Sequence, residues 1–198
     1  MSSVAVYLCW YLAMLESDSA ATQFSSANQG KEPGGRIRLD RTLPADEPLL
    51  YQTFASTRTE EMELTGWSSE QQESFLRMQY EAQRRSYLAQ IPGAEYFVIR
   101  CGDSGMGRLI VDRRRQEIHI VDISVLPQFR GCGIGSALMA ELMKEAAGSS
   151  KAVTLHVERF NPALRWYERL GFIVVNAGPI YLEMNWHQRV EEPNFSAV

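Results

Sequence analysis

The run Glu117-Ile118-His119-Ile120-Val121-Asp122-Ile123-Ser124-Val125 leads, through Leu126 and Pro127, into Gln128-Phe129-Arg130-Gly131-Cys132-Gly133-Ile134-Gly135-Ser136. The first nine residues, rich in Ile and Val, are the clearest strand in the chain. From Gly133 to Ala146 the period changes, and Ile134, Leu138, Leu142, Met139, Met143 and Ala146 form a helical stripe. Between strand and helix, three glycines at alternate positions leave the backbone bare, so that successive N–H groups can converge on an anion. The helix start adds about half a positive charge. A phosphate or pyrophosphate is the natural ligand, although the same residues also suit a tight turn with no ligand. A Walker loop is excluded because no Lys-Ser or Lys-Thr follows, and the G-x-G-x-G spacing is not the G-x-G-x-x-G of a dinucleotide site.

On the N-terminal side, Ile37 to Arg41 alternates as a half-buried strand does. Helical signals run from Ala45 to about Arg58, with Leu49, Leu50, Tyr51 and Phe54 on one side. A second helix opens at Ser68 or Ser69, where Gln71 or Gln72 completes a capping box. Phe75, Leu76, Met78, Tyr80, Ala82, Tyr87 and Leu88 give it an apolar face, and Pro92-Gly93 stops it. Glu95 to Arg100 and Met106 to Asp112 read as a hairpin. On the C-terminal side come a strand at Ala152 to Val157, a helix at Pro162 to Leu170, and strands at Phe172 to Asn176 and Ile180 to Trp186. This order predicts an α/β or α+β sheet protein with helices on both faces.

The 198 residues carry a net charge of −4, which argues against binding to phosphate backbones; no nucleic-acid partner is expected. Cys9, Cys101 and Cys132 are too scattered for a disulfide framework or a metal site, so no metal and a reducing, cytoplasmic setting are expected. The apolar stretch Val4 to Leu15 has 12 residues, short of the roughly 20 that span a bilayer, so no membrane role is expected. It fits a flexible extension or a segment packed on the domain or on a neighbouring chain, which leaves a homodimer open. Residues 16–35 are Ser, Ala, Gln, Asn and Gly rich and read as a linker. The layout is thus an extension over 1–35, a domain over 36–186 and a tail over 187–198.

Gln128, Gly131 and Gly133 match Q/R-x-x-G-x-G/A, and here the chain resembles the GNAT N-acetyltransferase superfamily. A second block, Asn161 to Phe172, resembles the superfamily's N-x-x-A-x-x-x-Y-x-x-x-G-F, with Ala163 one place early. Local physics explains part of that block: Asn161 suits a helix N-cap, Pro162 the first helical position, and Gly171 the end. The resemblance covers Arg36 to Trp186. It implies a mixed, mostly antiparallel sheet of six or seven strands whose central pair is splayed. It also implies acetyl-CoA as donor and direct transfer of the acetyl group to the amine of a small molecule or peptide. The amides of Arg130, Gly131, Cys132, Gly133, Ile134, Gly135 and Ser136 would hold the pyrophosphate. Ile123, Ser124 and Val125 would pair with the pantetheine arm, and Asn161 would touch it.

Attack needs a neutral amine, the tetrahedral intermediate an N–H donor, and the departing thiolate a proton. The Val125 amide is the expected oxyanion donor, and Tyr167 stands at the family's position for the proton donor. Glu117 is the expected base, with His119 on the same strand face beside it; His156 and Glu158 are fallbacks. Glu117 also suits a solvated hairpin end and Tyr167 a core position. Cys132 reads as a small filler. The acceptor is expected between Thr57 to Trp67, made acidic by Glu60, Glu61 and Glu63, and the Ala177 to Tyr181 turn. A non-catalytic acyl-CoA-binding domain of the same fold is the alternative.

Overall fold

The computed structural model describes residues 36–188. In chain order these are β1 (Ile37–Arg41), α1 (Glu47–Ser56), α2 (Thr59–Glu63), α3 (Ser69–Gln90), β2 (Ala94–Cys101), β3 (Ser104–Arg113), β4 (Glu117–Val125), α4 (Ile134–Gly148), β5 (Ala152–Glu158), α5 (Leu164–Arg169), β6 (Ile173–Ala177) and β7 (Tyr181–Trp186). The seven strands form one sheet in the order β1-β2-β3-β4-β5-β7-β6. Its pairs are antiparallel except β4 with β5, which are parallel. A parallel pair needs a crossover, and α4 supplies it. This is the mixed, mostly antiparallel sheet that the resemblance implies.

One face carries the main core. Leu109, Val111, Ile118, Ile120, Val153 and Leu155 from the strands cluster there with Ile134, Leu138, Met139, Leu142 and Ala146 of α4. On the other face Tyr51, Phe54, Met62, Leu76 and Tyr80 gather α1, α2 and α3 into a second cluster. The start of α3 is fixed locally: the Ser68 hydroxyl accepts the Gln71 N–H at 3.3 Å and the Gln71 side chain accepts the Ser68 N–H at 2.9 Å. A cap of this kind is worth about 1 kcal/mol.

The feature that shapes the site lies inside β4. Opposite β3, Asp122 pairs with Ile110 and Ile120 with Val111, so Val121 is an extra residue, a β-bulge. The bulge shifts the alternation by one. Ile118 and Ile120 face α4, and beyond the bulge so do Ile123 and Val125, while His119, Asp122 and Ser124 face the other way. Pairing of β4 with β5 stops at the same place, with Ile120 and Leu155 the last partners. Past them residues 121–125 of β4 and 156–158 of β5 part into a fork, the splayed central pair expected.

Some local expectations are corrected. Residues 57–67 contain α2, whose Met62 is only 2% exposed. Met78 and Leu88 are 56% and 53% exposed; at about 100° per residue they fall well away from the line through Leu76 and Tyr80. Helix α5 starts at Leu164, two residues later than Pro162, because Asn161 first closes a turn by accepting the Ala163 N–H on its side chain at 2.8 Å and the Leu164 N–H on its carbonyl at 3.0 Å. The apolar stretch Val4 to Leu15, the linker over 16–35 and the tail beyond Gln188 lie outside the described residues. No helix among the described residues is long and apolar enough to cross a membrane.

Candidate active site

After β4 the chain makes a short 3-10 turn at Pro127–Phe129, and Gly131 and Gly133 then take φ of 77° and 76°. Those left-handed values suit glycine and turn the backbone into α4. Gly133 is the N-cap of α4, and no side chain caps the helix. The first amides of any helix lack an intrahelical partner, so Ile134, Gly135 and Ser136 present N–H groups at its start. These border a cleft of about 390 Å3 walled by Ile123, Val125, Phe129, Gly131 and Trp166.

One of the expected donors behaves differently. The Arg130 amide is already bonded to the Pro127 carbonyl at 3.1 Å, so the free run begins at Gly131. The Arg130 side chain folds back, donating from Nε to the Val125 carbonyl at 3.0 Å and from Nη2 to the Ser56 carbonyl at 3.3 Å. It is a strut joining the turn, the end of β4 and α1. Cys132 packs against the core and sends its Sγ 3.8 Å from the Arg130 carbonyl, in keeping with a filler. The Ser136 hydroxyl accepts from Trp166 Nε1 at 3.1 Å. The same indole explains Gly135, where a Cβ would stand 3.2 Å from the ring. Sequence reasoning gave Arg130 and Trp166 no such role.

The fork opens beside this cleft. The Leu126 N–H bonds the Met106 carbonyl at 2.8 Å, so it faces β3. Peptide groups alternate along a strand, and therefore the Val125 and Ile123 groups face the fork while those of Ser124 face β3. Of the segment expected to pair with a pantetheine arm, Ile123 and Val125 are placed for it. Ser124 is not; its hydroxyl donates to Asp122 at 2.7 Å.

Tyr167 of α5 is 8% exposed and packs on Trp166 and Phe172, with ring centroids 4.8 and 5.8 Å away. Burial, and then the charge of Asp122, push its hydroxyl well above the usual tyrosine range. It stays protonated at any physiological pH, as a proton donor must. Asp122 stands just past the bulge and takes a two-pronged ion pair from Arg108, at 3.2 and 2.7 Å. Arg108 is 5% exposed and its Nη2 also donates to Gln83 of α3 at 2.9 Å, which ties the helical layer to the strands beside the fork. The sequence signal for this pair was one carboxylate within an Ile/Val-rich strand.

The expected bases are placed apart. Glu117 sits where β4 and β5 are still paired, opposite Ala152, and accepts from Arg114 at 2.5 Å. It lies six residues, about 20 Å at 3.3 Å per residue, from Ile123. His119 is 8% exposed, with Nδ1 2.8 Å from the Thr154 hydroxyl. Burial first, then Arg114 and His156, lower its pKa to about 4, with Glu117 and Asp112 opposing. Asn161 is exposed at the start of the α5 turn and does not line the cleft. On the helical side Glu61 of α2 is partly buried, and burial raises its carboxyl pKa, with Arg58 opposing and Glu158 of β5 adding to the rise. The region around α2 thus approaches the end of β5, whose Glu158 pairs with Tyr181. Among the described residues no group of His, Cys, Asp or Glu is arranged to hold a metal ion.

A family model for the acetyltransferase (GNAT) domain matches residues 92–174, from the end of α3 into β6. Residues 92–174 are thus similar to the GNAT acetyltransferase domain. The match takes in the bulged strand, the glycine turn and Tyr167 together. Among curated proteins nothing matches the chain. Solved structures share the GNAT fold at low identity. PaiA N-acetyltransferase from Thermoplasma acidophilum, in complex with coenzyme A, is 16% identical over 77% of this chain and 99% of its own, with a TM-score of 0.59. An acetyltransferase from Thermus thermophilus is 20% identical over 76% and 96%, with a TM-score of 0.55. The N-acetyltransferase PseH of Campylobacter jejuni, in complex with acetyl coenzyme A, is 17% identical over 78% and 100%, with a TM-score of 0.50.

Proposed function

We propose that this GNAT domain passes the acetyl group of acetyl-CoA to a primary amine by direct attack in a ternary complex. One observation carries the reading: the uncapped start of α4 and the unpaired edge of β4 border the same cleft. Amides from Gly131 to Ser136 hold the pyrophosphate with the helix dipole behind them. The peptide group of Ile123 holds the pantetheine arm along the fork. The Val125 N–H, which faces the fork, is the donor to the oxyanion.

Tyr167 supplies the proton to the departing thiolate from the α4 side. The amine enters from the helical side, where Glu61 and Glu158 favour a cationic acceptor. Carboxylates there draw in an ammonium, and a base must then take its proton before attack. Glu117 and His119 are both engaged elsewhere, by Arg114 and Thr154, which is the observation favouring a non-catalytic acyl-CoA-binding domain.

Thiol release from acetyl-CoA with a panel of primary amines separates the two. In Tyr167→Phe the enzyme reading expects turnover to fall roughly 100-fold or more, in line with loss of a general acid, with acetyl-CoA affinity kept. Tight binding without turnover on any amine would select the binding domain.

A further inference from the structure

The last paired residues of the fork are Ile120 and Leu155. His119 stands one residue before that pair on β4 and His156 one residue after it on β5. Leu155 and Val157 are buried in the α4-side core, so His156 points to the opposite face, as His119 does. Their rings meet edge to face, with centroids 5.3 Å apart at 68°. The two differ in access. His119 is buried and anchored on Thr154, whereas His156 is exposed and lies on the free arm of the fork.

We propose that His156 is the general base that takes the acceptor's proton, and that His119 is a positioning residue that holds the His156 ring. This rests on the acetyl-transfer reading above. An N–H bond of the acceptor's ammonium breaks, and the proton goes to a ring nitrogen of His156 and on to solvent. The freed electron pair bonds nitrogen to the thioester carbonyl carbon, and the nitrogen gives its second proton to water as the adduct collapses. On the opposite face the thioester C–S bond breaks and Tyr167 protonates the sulfur, then regains a proton from water.

Two carboxylates and a second imidazole stand around the ring. On its own strand face His156 has Glu158 two residues on, and Glu183 of β7 is its register partner. On the β4 side it meets His119, which faces Arg114, Glu117 and Asp112. Burial keeps His119 uncharged down to about pH 4, so that ring puts no positive charge beside a protonated His156.

The test compares the full-length chain with His156→Gln and His119→Asn, using an alkylamine and hydroxylamine as acceptors over a range of pH, with acetyl-CoA affinity measured by calorimetry. Hydroxylamine is largely neutral at pH 7 and needs no base before attack. In His156→Gln, kcat/KM for the alkylamine should fall on the order of 100-fold, with the acid limb of its pH profile lost. Hydroxylamine turnover and acetyl-CoA affinity should change little. His119→Asn should lower alkylamine turnover less and keep the acid limb. Equal losses on both amines, or an unchanged acid limb in His156→Gln, would overturn the inference while leaving acetyl transfer in place. A wild-type chain that releases no thiol with any amine would overturn both.

Discussion

His119 shows how a single buried side chain ties this fold to pH. Its pKa is about 4 in the folded chain and about 6.5 in an unfolded one. Between those values the unfolded chain binds a proton that the folded chain does not, so stability drops as pH falls through that window and is unaffected above it. The loss reaches about 3 kcal/mol by pH 4. Urea midpoints between pH 7 and 4.5 should therefore decline more steeply in the native chain than in His119→Gln; parallel slopes would contradict the burial argument. At this scale the glycine turn was legible in the sequence because left-handed φ values at Gly131 and Gly133 are local demands. The Arg108–Asp122 pair was not, since its partners are 14 residues apart and meet only through the β3–β4 register. For the same reason Glu117 looked free in sequence, while the hairpin end gives it Arg114.

The strands were read within a residue or two because alternation and turn residues are strong signals, and β4 agrees at both ends. On β4 the inward residues Ile118, Ile120 and Ile123 are spaced by two and then by three, and the bulge at Val121 is the physical cause. The five residues of α2 span little more than one helical turn, too few to show a period, so it was missed. Gly107 is an element-scale feature that sequence could not announce: a Cβ there would lie 2.1 Å from the Ser124 carbonyl oxygen, in the strand pair that borders the fork. Gly107→Ala should destabilise the domain by about 1–3 kcal/mol, as overpacking does, seen as a lower urea midpoint at unchanged slope. An unaltered midpoint would mean that β3 and β4 are not so tightly apposed.

Across the whole molecule the sheet separates two jobs. The α4 face carries the glycine turn, where the proposed function puts the diphosphate, and Tyr167; the helical face carries the carboxylates and the histidine pair. The fork is the passage between them. The order of elements could be read because the glycine turn and the Asn161 block, about 30 residues apart, bracket a helix and a strand in the expected sequence. The acceptor could not, since the segments expected to wall it are distant in the chain, and a likeness under 25% identity shows the fold alone. The decisive measurement is a calorimetric titration of acetyl-CoA into the native chain and into Gly133→Glu. A Cβ at Gly133 meets nothing within 4 Å, so the substitution adds only the strain of a non-glycine residue at φ 76°, about 1–2 kcal/mol. The glutamate carboxylate would occupy and repel the place of the diphosphate. The native chain should bind, and the variant, still folded by circular dichroism, should not. Equal affinity in the two would place the coenzyme somewhere other than the start of α4.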